Sequence, residues 1–213
     1  MLEVKHLHVS IESVEVLRGL SLTLASGAMS GLIGRNGAGK TSFMRTVMGH
    51  LHPSAGSIFF DGHDLSTLPP EARAGLGIGY MPEDRGLVPE LTVEENILIP
   101  LWVSAHLNTQ ERLSFVYSVL PEVQAMSSRR ALLLSGGQQK LVALGRALAI
   151  GTKLLLLDEP FEGVAPALSM RLSEVISALR GSDLSVLIAQ SDLNHSSSLV
   201  SQEVVIERGA NLV

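Results

Sequence analysis

No cysteine occurs among the 213 residues. That excludes a disulfide framework, a thiolate metal site and a cysteine nucleophile. Aromatic residues are nearly as scarce, at 4% of a chain that is 46% hydrophobic, so the core has to be aliphatic. Basic residues are outnumbered by acidic ones, 16 to 21, and no Lys/Arg-rich run appears. A sequence-independent grip on nucleic-acid phosphates has little charge to work with, and nucleic acid is not an expected partner. Long apolar runs are missing as well. The first residues, MLEVKHLHVS, hold no apolar signal core, and the longest apolar stretch, Ile97 to Val103, is interrupted by Pro100. A membrane-spanning helix needs about 20 apolar residues, so the expectation is a soluble chain with neither leader nor span. Its aliphatic surplus points to buried strands and an apolar docking face. There is no G-x-S-x-G elbow to support a serine hydrolase. The seven histidines lack metal-ligand spacing; His6 and His8 alternate along a strand and are read as surface or packing residues.

What is present is an alternation of strand and helix signals. Val4–Ser10 and Leu17–Ala25 read as opening strands, the second alternating Leu20, Leu22 and Leu24 with polar neighbours. Met29–Ile33 is a short apolar strand that leads through a glycine-rich loop into helical spacing over Lys40–Gly49. Gly56–Asp61 and Gly77–Met81 read as strands separated by a turn-rich segment around Pro69-Pro70. Helical periodicity starts at Thr92, an N-cap with Glu95 in the capping-box position, and runs to about Met126. Beyond it come a helix over Ser135–Ile150, an apolar strand Leu154–Leu157, a helix Pro166–Arg180, and strands Leu184–Ala189 and Glu203–Glu207. The pattern predicts an α/β fold with a mostly parallel sheet covered on both faces.

Three segments carry chemistry. Gly34-Arg35-Asn36-Gly37-Ala38-Gly39-Lys40-Thr41 is a phosphate loop, G-x-x-x-x-G-K-[ST], in the strand-to-helix setting its mechanism requires, with Ser42 in the first helical turn. Glycines let successive N–H groups point inward, and the helix adds the positive end of its dipole. Lys40 is placed to bridge the β- and γ-phosphates of ATP and Thr41 to ligate Mg²⁺. Leu154–Leu157 ends in Asp158 and Glu159, where a parallel sheet puts its ligand crevice. Asp158 suits the magnesium, and Glu159 is then free to orient or deprotonate the attacking water. Third, Ser135-Gly136-Gly137-Gln138 opens a helix and offers a second helix N-terminus suited to an anion, or simply a serine N-cap.

Together, GRNGAGKT, LSGGQ and LLLLDE, in this order and separation, resemble the ATP-binding subunits of ABC transporters over nearly the whole chain. The resemblance implies one nucleotide-binding domain over 1–213: a P-loop NTPase core, an N-terminal antiparallel β subdomain and an inserted helical subdomain at about 91–134. It implies an ATPase that sits peripherally on the cytoplasmic face of the inner membrane. Its partners would be transmembrane permease subunits, a second ATP-binding subunit of the same or a sister kind, and indirectly a solute-binding protein. Ser135–Gln138 of one subunit would close on ATP held by the other's phosphate loop. Tyr80–Arg85, Leu91–Asn96 and Glu159–Pro166 look most like the branched-chain amino-acid importer group. In that group Glu83 stands at the usual loop glutamine, facing the metal, and Gln190 at the usual switch histidine, giving the catalytic set Glu159, Lys40 and Gln190.

The chain departs from the broad family pattern at two places. Ala165 replaces the D-loop aspartate, and Ile11 stands where an aromatic usually stacks on adenine. Losing ring stacking forfeits about 1 kcal/mol, so weak discrimination between ATP and GTP is expected, with competition binding as the check. Two other readings remain at this level. A regulatory subunit that clamps nucleotide without hydrolysing it has only those departures in its favour. A soluble ABC protein acting on DNA or ribosomes would bring a coiled-coil insertion, a second cassette or a basic face.

Overall fold

The computed structural model describes residues 1–102, 104, 106–192 and 198–211. The chain opens with β1 (Leu2–Ile11) and β2 (Val14–Leu24), then β3 (Met29–Ile33), the glycine loop and α1 (Lys40–Val47). There follow β4 (Ala55–Phe60), the two-residue β5 (His63–Asp64), α2 (Pro70–Gly75) and β6 (Ile78–Met81). Four helices come next: α3 (Val93–Trp102), α4 (Thr109–Val119), α5 (Pro121–Gln124) and α6 (Gly136–Ile150). The rest is β7 (Leu154–Asp158), α7 (Pro166–Ala178), β8 (Ser185–Gln190), β9 (Gln202–Glu207) and β10 (Ala210–Asn211).

Two sheets result. An antiparallel one is ordered β2-β1-β4-β5, and a second is ordered β10-β9-β3-β8-β7-β6, parallel except for its β10 edge. Its place inside the second sheet explains why β7 is apolar up to its last residue. Every residue of β7 is buried: Leu155 and Leu157 point into one hydrophobic core, Leu154 and Leu156 into another on the opposite face. In the parallel register Asp158 lies beside Ala189, Met81 beside Leu157, and Ile33 beside Gln190. The C-terminal ends of β3, β6, β7 and β8 therefore share one edge, where open α/β sheets place ligands.

Several local expectations are met and others give way to tertiary contacts. Thr92 Oγ1 accepts from Glu95 N, and Glu95 Oε2 accepts from Thr92 N at 2.8 Å, the reciprocal bonds of a capping box. The helical pattern up to Met126 is three helices rather than one. Asn108 caps α4 through Glu111 N, and Pro121 restarts the chain at α5. The buried Asn96 side chain holds the preceding loop by accepting from Val88 N and donating to the carbonyls of Val88, Leu91 and Thr92. In β1 simple alternation fails. The register shifts between Val4 and Leu7 with His6 at φ 46°, a bulge that returns Leu7 and Val9 to the core alongside Leu2 and Val4. His6 is exposed, and His8 Nδ1 lies 2.8 Å from Glu15 Oε1.

The turn expected at Pro69-Pro70 is the start of α2, with Pro70 in the first turn, where its missing N–H costs nothing. This helix delivers Arg73, 1% exposed, whose guanidinium donates to the carbonyls of Thr46, Val47 and Leu68. Those bonds cap the C-terminus of α1, the helix that carries Lys40.

Candidate functional site

The glycine loop is shaped by close approach. A β-carbon on Gly34 would lie 2.3 Å from the Ile206 carbonyl oxygen. Gly39, at φ 111°, would put one 2.9 Å from the Val16 carbonyl oxygen. Gly34 N donates to Gln190 O at 3.2 Å, and Ala38 O accepts from Gly209 N at 2.9 Å, so the loop hangs between the end of β8 and the β9–β10 turn. Arg35, Asn36 and Gly37 form its exposed crest.

Lys40 is 4% exposed. Its Nζ donates to the carbonyls of Gly34 (2.5 Å) and Arg35 (3.2 Å) and forms an ion pair with Glu159, 3.0 Å from its Oε1. Thr41 Oγ1 donates to Asp158 Oδ1 at 3.2 Å. A cavity of about 360 Å³ is lined by Asn36, Gly37, Gly39, Lys40, Thr41 and Ser42 on one side and by Val16, Glu83, Glu159 and Glu162 on the other. The structure thus gathers residues 36, 37, 39–42, 83 and 159 of the sequence-based site around one space, with Asp158 directly behind Thr41 and with Gly34, Arg35 and Ala38 outside the lining.

Electrostatics in this space favour a cation. Burial pushes the Asp158 carboxyl up to about 6, the Thr41 hydrogen bond pulls it back, and the charges of Glu83 and Glu159 push it up again. Glu159 is likewise raised by burial, against the opposing pull of Lys40. The Thr41 hydroxyl and the Asp158 and Glu83 carboxylates are hard oxygen donors of the kind Mg²⁺ accepts when substrate phosphates and water complete its octahedron. Among the described residues no group of three or more His, Asp or Glu could hold a metal ion unaided.

Glu159 is also conformationally unusual. It sits at φ 47°, a left-handed backbone that costs a non-glycine residue about 1–2 kcal/mol. It is held there by Glu159 N donating to Ala189 O at 3.0 Å and by Ser191 N donating to Glu159 Oε2 at 3.2 Å. Gln190, 5% exposed, ends β8 with its side-chain oxygen buried and without a hydrogen-bond partner among the described residues. His195 lies outside the described residues.

Ser135, Gly136, Gly137 and Gln138 do not line this cavity. They start α6 with a second capping box, Ser135 Oγ accepting from Gln138 N and Gln138 Oε1 from Ser135 N, and Ser135 and Gly136 are exposed. Arg85 ties this end of α6 to the loop that bears Glu83, donating to Gln139 Oε1 at 2.9 Å. Arg146, further along α6, donates to the carbonyls of Arg85 and Gly86.

Sequence reasoning missed some of the participants. Tyr80 OH donates to Asp158 Oδ2 at 3.3 Å, Ser191 bonds Glu159, and Val16 walls the cavity. Only Tyr80 had a signal, as the polar residue near the end of an apolar strand. Ile11 is 40% exposed at the tip of the β1–β2 hairpin beside Val14. Ala165 is the exposed N-cap of α7 and makes no side-chain cap.

The chain is similar in sequence and fold to known proteins. Residues 17–162 match the family described as ABC transporter. The chain is 34% identical over 210 residues to the lipopolysaccharide export system ATP-binding protein LptB of Escherichia coli K12, covering 98% of this chain and 87% of that one. It is 33% identical over 196 residues to the high-affinity branched-chain amino acid transport ATP-binding protein BraG of Pseudomonas aeruginosa, covering 92% and 84%. A nucleotide-free ATP-binding cassette from an ABC transporter superposes with a TM-score of 0.87 at 26% identity, over 100% of this chain and 90% of the other. A dimeric post-hydrolysis cassette, MJ0796 bound to ADP and Pi, shares the fold with a TM-score of 0.88 at 20% identity, over 100% and 97%.

Proposed function

The chain belongs to the ABC transporter family as an ATP-hydrolysing subunit of the kind that dimerises and pairs with membrane permease subunits; from that premise we propose how its residues divide the work. Residues Gly34–Ser42 hold the triphosphate of ATP, with the Lys40 ammonium released from Glu159 to the β- and γ-phosphates. Thr41 and Asp158, with Glu83 opposite, hold Mg²⁺, whose contribution is to neutralise charge on the transferring phosphoryl group. Glu159 orients and deprotonates the attacking water, and the buried amide of Gln190 completes the γ-phosphate side. Ser135–Gln138 of a second subunit, the same chain or a sister, seals the site from across the dimer, with Ser135 and Gly136 exposed for that contact.

The observation that carries this reading is the meeting of Lys40 with Glu159 and of Thr41 with Asp158 at one sheet edge. It is tested by ATP turnover and size-exclusion chromatography of wild type and Glu159→Gln. Turnover should fall by about a thousandfold while ATP holds the variant as a dimer. A variant with wild-type turnover would refute the assignment.

No described helix is long and apolar enough to cross a membrane. We place the subunit peripherally on the cytoplasmic face, carried by its permease. A groove of about 860 Å³ running from Thr41 and Glu83 to Ile99, Pro100 and Arg146 supports docking on that side. For the solute, the Tyr80–Arg85 and Glu159–Pro166 segments and the likeness to BraG favour import of amino acids or related small solutes, with a solute-binding protein upstream. Comparable identity to LptB supports export of a lipopolysaccharide as the second reading. Vesicles bearing the chain with its membrane subunits decide between them. Uptake of branched-chain amino acids supports import, and ATP-dependent release of lipopolysaccharide supports export.

A further inference from the structure

One buried cation has no part in the chemistry described so far. Lys140, 3% exposed on the first turns of α6, donates from Nζ to Glu159 O at 3.0 Å and to Glu162 O at 2.5 Å. Its stem runs under the loop that follows β7, and its ammonium spends its hydrogen bonds on backbone rather than on a carboxylate. Burial lowers its pKa, as does the Arg85 charge, while Glu162, Glu159 and Glu83 oppose that shift.

The two carbonyls matter because of where they lie. Glu159 is held in a left-handed conformation, and Gly163 reverses the chain again at φ 66°. The Glu159 carbonyl therefore points out of the β7 ladder, where no strand neighbour is available to it. Within the turn Glu159 O accepts from Glu162 N at 3.2 Å, and Lys140 adds a charged donor to the same oxygen and to Glu162 O, so that it clamps both ends of that turn. The peptide groups on both sides of Glu159 are then fixed, its N–H by Ala189 O and its carbonyl by Glu162 N and Lys140 together. A carboxylate with two fixed flanking peptides is confined to a narrow arc, the condition for directing a water at a phosphorus atom.

We propose that Lys140 is a positioning residue for ATP hydrolysis: from α6 it locks the Glu159–Glu162 backbone so that the Glu159 carboxylate faces the phosphate loop. The proposal rests on the reading of Glu159 given above. It also makes α6 serve two sites, with its exposed Ser135 end offered to the second subunit and Lys140 holding the water-directing loop of its own.

The test is steady-state turnover of the full-length chain with Lys140→Met, Lys140→Gln and Lys140→Arg, each in wild-type and Glu159→Gln backgrounds. Lys140→Met should lower kcat by about a hundredfold, with KM for ATP changed by less than about twofold. Lys140→Arg, which keeps a cationic donor, should recover most of the loss. With Glu159→Gln in place, Lys140→Met should lower the residual rate by less than about twofold, because the group it orients no longer acts. An equal fold-loss in both backgrounds, an unchanged kcat, or a KM that rises as kcat falls would overturn the proposal. Should Lys140→Met fail to fold, Lys140→Gln is read by the same criteria. The two assignments fail differently. Glu159→Gln with intact turnover removes the role of Glu159, whereas its inactivity beside an unimpaired Lys140 variant removes only that of Lys140.

Discussion

Asp158→Asn should make the nucleotide-free protein more stable while removing its activity. Asp158 is wholly buried at the end of β7, with Glu83 and Glu159 adding negative charge nearby. The rise of its pKa from 3.8 to about 6 means that holding it ionised in the native state costs about 3 kcal/mol. Below pH 3.8 the carboxyl is neutral in both folded and unfolded chains and costs nothing. Between 3.8 and about 6 the unfolded chain releases its proton while the native one keeps it, so native stability falls as pH rises, and above about 6 the full cost is present. Asparagine is neutral throughout and nearly isosteric. Its Oδ1 can still accept from Thr41, and its Nδ2 can donate to Tyr80 OH once that hydroxyl turns. Urea unfolding without nucleotide or Mg²⁺ should show the variant about 3 kcal/mol more stable at pH 7.5, and only about 1 kcal/mol more stable at pH 4.5. At neutral pH that corresponds to about 6–12 °C in Tm. Added Mg²⁺ and ATP should stabilise wild type more than the variant. A gain independent of pH, or a loss at pH 7.5, would refute the argument that charge burial is the cause.

Ala165→Asp restores an acceptor at the uncapped, exposed N-terminus of α7 and should stabilise the protein by about 1 kcal/mol, read as about 2–4 °C in thermal unfolding. Arg73→Met removes the guanidinium that donates to the carbonyls of Thr46 and Val47 at the end of α1 and to that of Leu68, leaving Thr46 O its bond from Gly49 N, and should cost about 3 kcal/mol in urea unfolding. A loss below about 1 kcal/mol would mean that water replaces the guanidinium there.

What could be read from the sequence was whatever is settled within a few residues. The G-x-x-x-x-G-K-T loop, the Thr92 capping box, the Ser135 N-cap and the LLLL strand ending in Asp158 depend on backbone turns and on periodicity, and each stands where its pattern put it. The proline pair before α2 was misread because a turn and a helix start share Pro70; only the contact of Arg73 with α1 separates them. Nor did alternation reveal the bulge at His6, because Leu2, Val4, Leu7 and Val9 reach one core only after β1 shifts register against β2 and β4. The partners of the site lie still further beyond local patterns. Lys40 meets Glu159, Thr41 and Tyr80 meet Asp158, and Lys140 meets the Glu159 backbone because the sheet runs β3-β8-β7-β6 and α6 crosses beneath it. Strand order is chosen by the burial of whole faces. The sequence therefore determined which groups the chain owns, and tertiary packing alone decided which carboxylate holds the lysine and which lysine holds the carboxylate's backbone.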